Sequence, residues 1–325
     1  MAAPQGGHPV SITGSRPVIE RRRMNSRALL ALFFTVTVWG VGAVFNRTLS
    51  VNLGPADHLV IRYAPVCLAY LAGLTAMGGW RIERQDWPRL LVISIGGWVA
   101  YNLGAAYGFE LVPASIGSLI FGTEPLLIAL LGIMIAREKL TAGTIVGLAV
   151  AFAGTVLLVS GDMELAGGGK GFLRGCGLVF LSAIAFSLYV VAAKPLIQKY
   201  GSFSIAAVST VISSVVLLVL LARPSAINTV AAMTPRNWFD MAYVVVLSTF
   251  ISSITWNYGA SRLPAATSGA FLYLVPIVGV LAGAILLGET ITLAMLAGGG
   301  LILTGVAIAQ FSPRMRGTQL EQLNK

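Results

Sequence analysis

Long apolar stretches alternate with short polar stretches along almost the whole chain. An apolar run of about 20 residues is what a helix needs to cross a hydrocarbon layer about 30 Å thick. Strands of a membrane barrel would alternate apolar and polar residues, and these runs do not alternate. The pattern therefore predicts an all-α integral membrane protein. Its ten transmembrane helices are expected near residues 28–49, 58–79, 90–110, 113–136, 141–160, 172–193, 202–222, 238–260, 264–287 and 292–311.

The composition agrees with a membrane setting, because 56% of the 325 residues are hydrophobic and only 10% are charged. A net charge of +10 raises the question of nucleic acid, but the positions of the basic residues explain it. With the N-terminus in the cytoplasm, all but six of the 22 basic residues fall on the cytoplasmic side, as the positive-inside rule requires. The six exceptions are Arg47, Arg62, Lys170, Arg174, Arg223 and Arg236. We therefore expect a multi-pass protein of the bacterial inner membrane, with both termini cytoplasmic and no nucleic-acid partner.

The chain offers no signal for a cofactor, a metal or a cleaved leader. Its first 27 residues are polar and basic, without the apolar region and small-residue cleavage site of a removable signal peptide. Cys67 and Cys176 match no metal-ligand spacing. The loop GGGKG at 167–171 lacks the Ser or Thr that follows the lysine of a phosphate-binding loop. We expect no cofactor and no metal site.

Residues 107–154 align without a gap on residues 258–305, at an offset of 151 positions. Several residue types recur in step, among them Pro113/Pro264, Pro125/Pro276, Glu138/Glu289 and Thr141/Thr292. Each copy has five predicted helices, an odd number, so the second copy starts on the opposite side of the membrane. Inverted repeats of this kind are typical of secondary transporters. The expected organisation is a basic cytoplasmic tail at 1–27, repeats at 28–160 and 172–311, a periplasmic linker at 161–171 and a cytoplasmic tail at 312–325.

These residues resemble the ten-helix drug/metabolite transporter superfamily, and in particular its EamA-like bacterial exporters. The resemblance covers residues 28–311 and depends on Trp39-Gly40, on the stretch GPADHLVIRYAPVCLAYLAGL with Arg62, and on the doubled pattern of Pro, Glu and Thr. It implies export of small metabolites, often amino acids. It also implies a basket of helices one to four and six to nine, with helices five and ten at the periphery.

The predicted third and eighth helices each carry polar and aromatic residues on one face near the midpoint. Trp98, Tyr101 and Asn102 share such a face, and the repeat pairs positions 98, 101, 102 and 105 with 249, 252, 253 and 256. This mixture suits the wall of a cavity, and ordinary helix packing is the alternative. The residues expected to bind substrate are Trp39, Trp98, Tyr101, Asn102, Glu124, Tyr189, Ser252, Ser253, Trp256 and Tyr273.

Glu124 and Pro125 lie in the middle of the predicted fourth helix, in the stretch FGTEPLLIALLG. Pro276 is the counterpart of Pro125, and the two prolines are expected to act as paired hinges because proline kinks a helix. Glu124 has Val275 as its counterpart. One hypothesis is that Glu124 faces the cavity and either carries a coupling proton or balances the ammonium group of a substrate. The alternative is a protonated side chain bonded to neighbouring hydroxyls or to a freed carbonyl.

Three other features have a structural and a functional interpretation. Arg62 is expected to reach the outer interface or to pair with Asp57 or Glu110, and the alternative is an outer gate or a carboxylate-binding role. Thr141 and Thr292 are expected to cap the fifth and tenth helices, with Glu138 and Glu289 near those positive helix ends. Small residues at four-residue spacing in the fifth and tenth helices predict close packing.

The sequence favours a secondary transporter that exports a small organic metabolite. Aromatic and hydrophobic amino acids are the leading substrates, because rings supply stacking area and Asn or Ser side chains fix the polar ends. The proton is a candidate coupling ion, and the oligomeric state stays open. The alternatives are an intramembrane enzyme, for which no nucleophile with a base or metal cluster is found, and a non-transporting sensor or assembly subunit.

Overall fold

The computed structural model describes residues 26–77, 81–136, 142–162, 170–262 and 271–311. All regular secondary structure in these residues is helical. The predictions for Glu138, for Thr141, for most of the loop GGGKG and for the two tails lie outside the described residues.

The helices of the first half follow the predicted order. They are α1 (Ser26–Leu53), α2 (Pro55–Met77), α3 (Trp87–Leu91), α4 (Ala100–Leu111), α5 (Ala114–Phe121), α6 (Glu124–Ala136) and α7 (Ala142–Asp162). A short 3₁₀ turn at Arg84–Asp86 precedes α3, and a π-helical segment at Val92–Val99 joins α3 to α4. The predicted third span is therefore one continuous helical rod whose middle is π-helical.

The second half repeats this pattern. Its helices are α8 (Lys170–Tyr200), α9 (Ser202–Leu221), α10 (Ser225–Ala231), α11 (Pro235–Ala242), α12 (Ser252–Arg262), α13 (Leu274–Leu287) and α14 (Leu293–Phe311). A second π-helical segment, Tyr243–Ile251, joins α11 to α12. It begins 151 positions after the first one, so the π segments occupy equivalent places in the repeat. The short helix α10 was not predicted from the pattern of apolar residues.

Six described helices are long and apolar enough to cross a membrane by length and composition, and shorter apolar helices cover parts of the predicted fifth, ninth and tenth spans. Many large apolar side chains point outward from the bundle. Val219 and Ile285 are each 78% exposed, and Leu293 is 81% exposed. Exposure of this extent is unfavourable in water and suits a hydrocarbon environment. The described part of the chain has the character of a multi-pass α-helical membrane protein.

Helices α7 and α14 pack on each other through glycines, as the spacing of small residues predicts. A Cβ atom at Gly154 would lie 2.6 Å from the Gly298 carbonyl oxygen, and one at Gly305 would lie 2.5 Å from the Gly147 carbonyl oxygen. Only glycine permits so close an approach of two backbones. As the number rises from 147 to 154 on α7, the number on the partner falls from 305 to 298. These two helices, which are equivalent in the repeat, therefore run antiparallel.

The remaining helices pack mainly across the two halves. Helix α1 packs against α12 and α13, while α8 packs against α4 and α6, and α2 packs against α9. Helices α7 and α14 contact the rest of the described bundle through α5 and α6. The centre of the bundle is thus enclosed by helices of both halves, with α7 and α14 to one side.

The predicted fourth helix is not continuous, which corrects the expectation of one kinked helix. It breaks at Gly122 and Thr123, and Pro125 is the second residue of α6. Proline has no N–H group and a fixed φ, so it is well suited to the first turn of a helix. Pro276 is likewise the third residue of α13. Both prolines therefore begin a half-helix near the middle of the bundle.

Glu289 connects several helices at the end of the bundle where α1 and α4 finish, which we call the Glu289 end. Its carboxylate accepts hydrogen bonds from the Ala114 N–H (2.8 Å), the Ser115 N–H (2.9 Å) and the Ser115 hydroxyl (2.6 Å). Arg47 Nε lies 3.4 Å from Glu289 Oε1, and the Arg47 guanidinium donates to the Val112 carbonyl at 2.8 Å. A carboxylate is favourable at the positive N-terminus of a helix, here α5.

This placement corrects the expectation that Glu289 belongs to the start of the tenth helix, since its partners are at the start of α5. The prediction for Thr292 is confirmed, because its hydroxyl accepts a hydrogen bond from the Met295 N–H at 3.0 Å. At the opposite end of the bundle, Lys199 Nζ lies 2.7 Å from carboxylate oxygens of Glu83 and Asp86. The hydrogen bond from Lys199 holds the pKa of the exposed Glu83 carboxyl below its usual value.

Candidate functional site

A cavity of about 110 Å³ lies at the centre of the bundle, where helices of both halves meet. Its walls carry an aromatic group, a set of hydroxyl and amide side chains, one arginine and one glutamate. Sites that bind small molecules are mostly apolar with a few polar groups at fixed positions, and this cavity has that composition.

The aromatic wall is built around Trp98. Its ring stacks on Tyr189, with centroids 4.8 Å apart, and on Tyr101 at 5.5 Å and Phe186 at 6.0 Å. The neighbouring Gly97 lets the π segment approach α8, because a Cβ there would lie 2.8 Å from the Tyr189 Cβ. The Trp98 indole N–H donates to the Thr210 hydroxyl at 3.2 Å, which fixes the ring plane. The wall therefore presents broad, oriented ring faces.

A second aromatic pair, Trp39 of α1 and Trp256 of α12, lies at another side of the cavity. The rings of Trp39 and Trp256 have centroids 5.3 Å apart, and the Trp39 N–H donates to the Ser248 carbonyl at 3.2 Å. Trp39 lines the cavity, while Trp256 supports it from behind.

Asn102 is a positioning residue in this geometry. It is 2% exposed, its carbonyl oxygen accepts the Tyr63 hydroxyl at 2.7 Å, and its amide donates to the Trp98 carbonyl at 2.8 Å. Both the oxygen and the nitrogen of the Asn102 amide are thus hydrogen-bonded within the protein. The side chain links α2 to the rod that carries the aromatic wall.

Glu124 lies at the first position of α6 and lines the cavity with Tyr101, Phe121 and Phe186. Within the described residues its carboxylate has neither an ion-pair partner within 4.0 Å nor a hydrogen bond. The neighbouring hydroxyl of Ser187 instead contacts the Glu124 backbone carbonyl at 3.4 Å. The alternative of a carboxyl held by nearby hydroxyls therefore has no contact in its favour here.

Arg62 approaches the same cavity from α2. Its guanidinium donates to Asn46 Oδ1 and to the Thr249 hydroxyl, both at 3.1 Å. It does not pair with Asp57 or Glu110, which corrects that expectation; the Asp57 carboxylate accepts the hydroxyl of a threonine in α10. Arg62 therefore faces inward rather than toward the outer interface.

Six of the ten residues expected to bind substrate line the cavity: Trp39, Trp98, Tyr101, Asn102, Glu124 and Ser253. Tyr189 and Trp256 stack behind that lining. Ser252 is fully buried, and its hydroxyl has no hydrogen-bond partner within the described ranges. Tyr273 packs against the cluster around Leu119 rather than against the cavity. Helical spacing identifies residues that share a face of a helix. It does not distinguish the residues that line the cavity from those that pack behind the lining.

Several lining residues were not singled out from the sequence as cavity residues. They include Asn46, His58, Tyr63, Phe109, Ser118 and Phe121. On α2 a usable signal exists, since His58 and Arg62 are four residues apart, as are Leu59 and Tyr63, and the two pairs lie side by side on the helix. Asn46 is recognised by its hydrogen bond to Arg62, a contact that can be seen only in the folded structure.

A model of the EamA-like transporter family matches residues 26–160 and matches again at residues 173–310. The chain belongs to this family. A probable terminal-alkyne amino-acid exporter of Streptantibioticus cattleyicolor is 30% identical over 87% of this chain and 93% of its own length. An uncharacterized transporter of Archaeoglobus fulgidus is 27% identical over 86% and 97%. A probable amino-acid metabolite efflux pump of Salmonella typhimurium is 24% identical over 87% and 94%.

One solved crystal structure has the same fold, with a TM-score of 0.57 and 22% identity over 92% of this chain and 99% of that chain. The EamA-like protein described here is therefore a membrane transporter of small molecules and not an enzyme. In the described residues no three His, Cys, Asp or Glu side chains are grouped as metal ligands. Its chemistry is binding and passage rather than bond breaking.

Proposed function

We propose that this EamA-like protein exports an amino acid with an aromatic or hydrophobic side chain, by alternating access of the central cavity. The observation that carries this proposal is the meeting of the Glu124 carboxylate with the ring faces of Trp98, Tyr101 and Phe186 in one cavity. The rings offer stacking area to an apolar side chain. The carboxylate offers a counter-charge to an ammonium group. The two relatives described as a probable amino-acid exporter and a probable amino-acid metabolite efflux pump support the substrate class.

Alternating access by two equivalent halves is supported by several features of the chain. The family model matches twice, over ranges close to the two repeats expected at 28–160 and 172–311. The equivalent helices α7 and α14 run antiparallel, and the two π segments are equivalent. Inverted halves exchange conformations by rocking, which opens a central site to each side in turn. Pro125 and Pro276, at the starts of the half-helices α6 and α13, serve as the paired hinges.

The charge pattern sets the orientation within this proposal. The chain crosses the bacterial inner membrane ten times, with both termini and the end near Lys199 in the cytoplasm. The Glu289 end and the linker at 161–171 then face the periplasm. Export moves the amino acid from the Lys199 end to the Glu289 end.

Glu124 is the proposed coupling residue or ammonium partner. A carboxylate at the centre of a membrane helix costs about 2.5–3.5 kcal/mol on insertion scales, and no described group offsets that cost. A proton or a substrate cation supplies the missing partner. Either one links occupation of the cavity to the charge state of Glu124.

Counterflow in proteoliposomes tests the proposal. Vesicles containing purified protein and unlabelled phenylalanine, tryptophan or leucine should accumulate the labelled amino acid transiently, and empty vesicles should not. Glu124→Gln keeps the shape and removes the titration, so it should abolish the pH dependence or weaken the affinity, measured between about pH 5.5 and about pH 8. Normal transport by Glu124→Gln over that range would refute the role of this carboxylate. Absence of counterflow with every amino acid would refute the substrate class.

A further inference from the structure

Arg62 places a positive charge beside the cavity that no described carboxylate neutralises. Its two hydrogen-bond acceptors, Asn46 Oδ1 and Thr249 Oγ1, are both neutral. The ion pairs found among the described residues do not include it. Its Nε–H is buried and has no hydrogen-bond partner in the described part of the chain. Its guanidinium carbon lies 5.2 Å from the centre of the neutral Tyr63 ring. A charge at membrane depth is unfavourable without a counter-charge, so an arginine that has only neutral partners among the described residues indicates a ligand site.

His58 lies one helical turn from Arg62 on the same face of α2 and also lines the cavity. The side chain is fully buried. Its Nδ1 lies 3.1 Å from the Ser50 hydroxyl, while Nε2 is buried and has no hydrogen-bond partner among the residues that the structure describes. When Nδ1 accepts the Ser50 proton, Nε2 carries the ring proton and is a donor. Buried polar atoms are nearly always paired, so two unpaired N–H groups on one helix face call for a common acceptor.

The guanidinium of Arg62 is held in place from both sides. Asn46 donates through its amide to the Gly42 carbonyl at 2.8 Å, and Thr249 donates to the Val244 carbonyl at 2.8 Å. Each acceptor of Arg62 is therefore anchored to its own helix before it binds the guanidinium. This arrangement fixes the direction of the unpaired Nε–H, as in a preorganised binding site.

We propose that Arg62 and His58 form an anion subsite that binds the carboxylate of the transported molecule. Arg62 and Glu124 line one cavity, yet they are not within 4.0 Å of each other. Opposite charges that share a cavity without pairing leave room for a molecule that carries both. The substrate class is therefore a zwitterion whose carboxylate binds at Arg62 and His58 and whose ammonium binds at Glu124. A phosphate dianion fits less well, because the same cavity holds the Glu124 carboxylate. This inference rests on the proposed function and adds a second anchor to it.

Competition in the counterflow assay with labelled tryptophan tests the subsite. The competitors are unlabelled tryptophan, its methyl ester and tryptamine, which both lack the carboxylate, and indole-3-propionate, which lacks the ammonium. The wild type should prefer tryptophan over the ester by at least about tenfold, as expected for a charged hydrogen bond. Arg62→Met should lose that preference, and Arg62→Lys should keep part of it. Arg223→Met, at an exposed position, is the matched control and should behave as the wild type.

If gel filtration shows that Arg62→Met does not fold, the same competition is measured with Arg62→Lys and His58→Gln. A structural role of Arg62 would lower transport of all substrates without changing their order. An unchanged preference of Arg62→Met for tryptophan over its ester would overturn the subsite while leaving the proposed function intact.

Thermal stabilisation of the purified protein separates failure of the subsite from failure of the proposed function. Indole-3-propionate should raise the unfolding temperature of the wild type but not that of Arg62→Met, even where no amino acid is transported. Counterflow that fails with every amino acid refutes the proposed function alone. A wild type that no carboxylate stabilises, together with an unchanged order of competitors, refutes the subsite.

Discussion

Replacing Glu289 by alanine should destabilise the protein more than any other single change at the Glu289 end. The carboxylate is 12% exposed and accepts three hydrogen bonds, two of them from the amides of Ala114 and Ser115. Each amide left unpaired costs about 1–3 kcal/mol. Loss of the partner leaves Arg47, 28% exposed, beside an empty site. Two amides left unpaired cost about 2–6 kcal/mol together, and we expect a value of about 3–5 kcal/mol within that range.

Thermal unfolding in detergent measures this effect. A thiol-reactive fluorophore reports unfolding here, because Cys67 and Cys176 are free and buried in the folded state. At about 2 °C per kcal/mol for a chain of this size, Glu289→Ala should unfold about 6–10 °C below the wild type. Glu289→Gln keeps one acceptor oxygen and should show about half of that shift.

Two controls make the result specific. Glu110→Ala removes an exposed carboxylate of α4 that also lies at the Glu289 end, and it should change the unfolding temperature by less than about 2 °C. A double-mutant cycle of Arg47 and Glu289 isolates the ion pair, which should contribute about 1 kcal/mol because both groups are partly exposed. If Glu289→Ala unfolds at the temperature of Glu110→Ala, then the carboxylate does not hold α5 in place, and the reasoning is wrong.

Three further predictions concern packing, the cavity and topology. Gly154→Leu should lower the unfolding temperature, because a side chain there meets the backbone of α14, whereas Gly132→Leu should not, because a Cβ at Gly132 would have no neighbouring atom within 4 Å. Trp98→Ala should raise the KM for an aromatic amino acid about 2- to 12-fold with expression unchanged, since stacking contributes about 0.5–1.5 kcal/mol, and equal losses of folded protein and activity would indicate packing instead. A tag at residue 225 should be accessible from outside the cell and one at 199 should not, and reversed labelling would contradict the inverted arrangement.

Helical periodicity and the repeat located much of the cavity from the sequence. Trp98 and Asn102 were identified by their shared face, and the offset of 151 positions led from them to Ser253. The same reasoning included Ser252, which the structure buries away from the cavity lining. One helical face spans more than a hundred degrees, so its edges pack against neighbours while its centre faces the cavity.

The partners of the charged residues could not be predicted in the same way. Glu289 binds amides 174 and 175 positions away, and Arg62 binds Thr249, 187 positions away. Local spacing identifies neighbours three or four residues apart on one helix, but these contacts are formed only when distant helices pack. Glu289 was therefore assigned to the nearest helix end in sequence, α14, rather than to α5. The π segments could not be predicted either, because an apolar run indicates a helix in the membrane but does not distinguish the i→i+5 hydrogen bonds of a π-helix from those of an α-helix.

The repeat separates two kinds of residue in this chain. Equivalent positions of the two halves line the same cavity, namely Trp98/Thr249, Asn102/Ser253, Phe121/Leu272 and Glu124/Val275. Shared backbone positions agree with the proposed alternating access, because two halves that exchange conformations need matching helices. The different side chains agree with the proposed zwitterionic substrate, because a molecule with a carboxylate at one end and an ammonium group at the other has no two-fold symmetry. Pro125 and Pro276 are duplicated where the helices break, whereas Glu124 is single where a ligand would sit. In the proposed mechanism, duplicated residues therefore belong to the moving framework, and unduplicated residues within the cavity recognise the substrate.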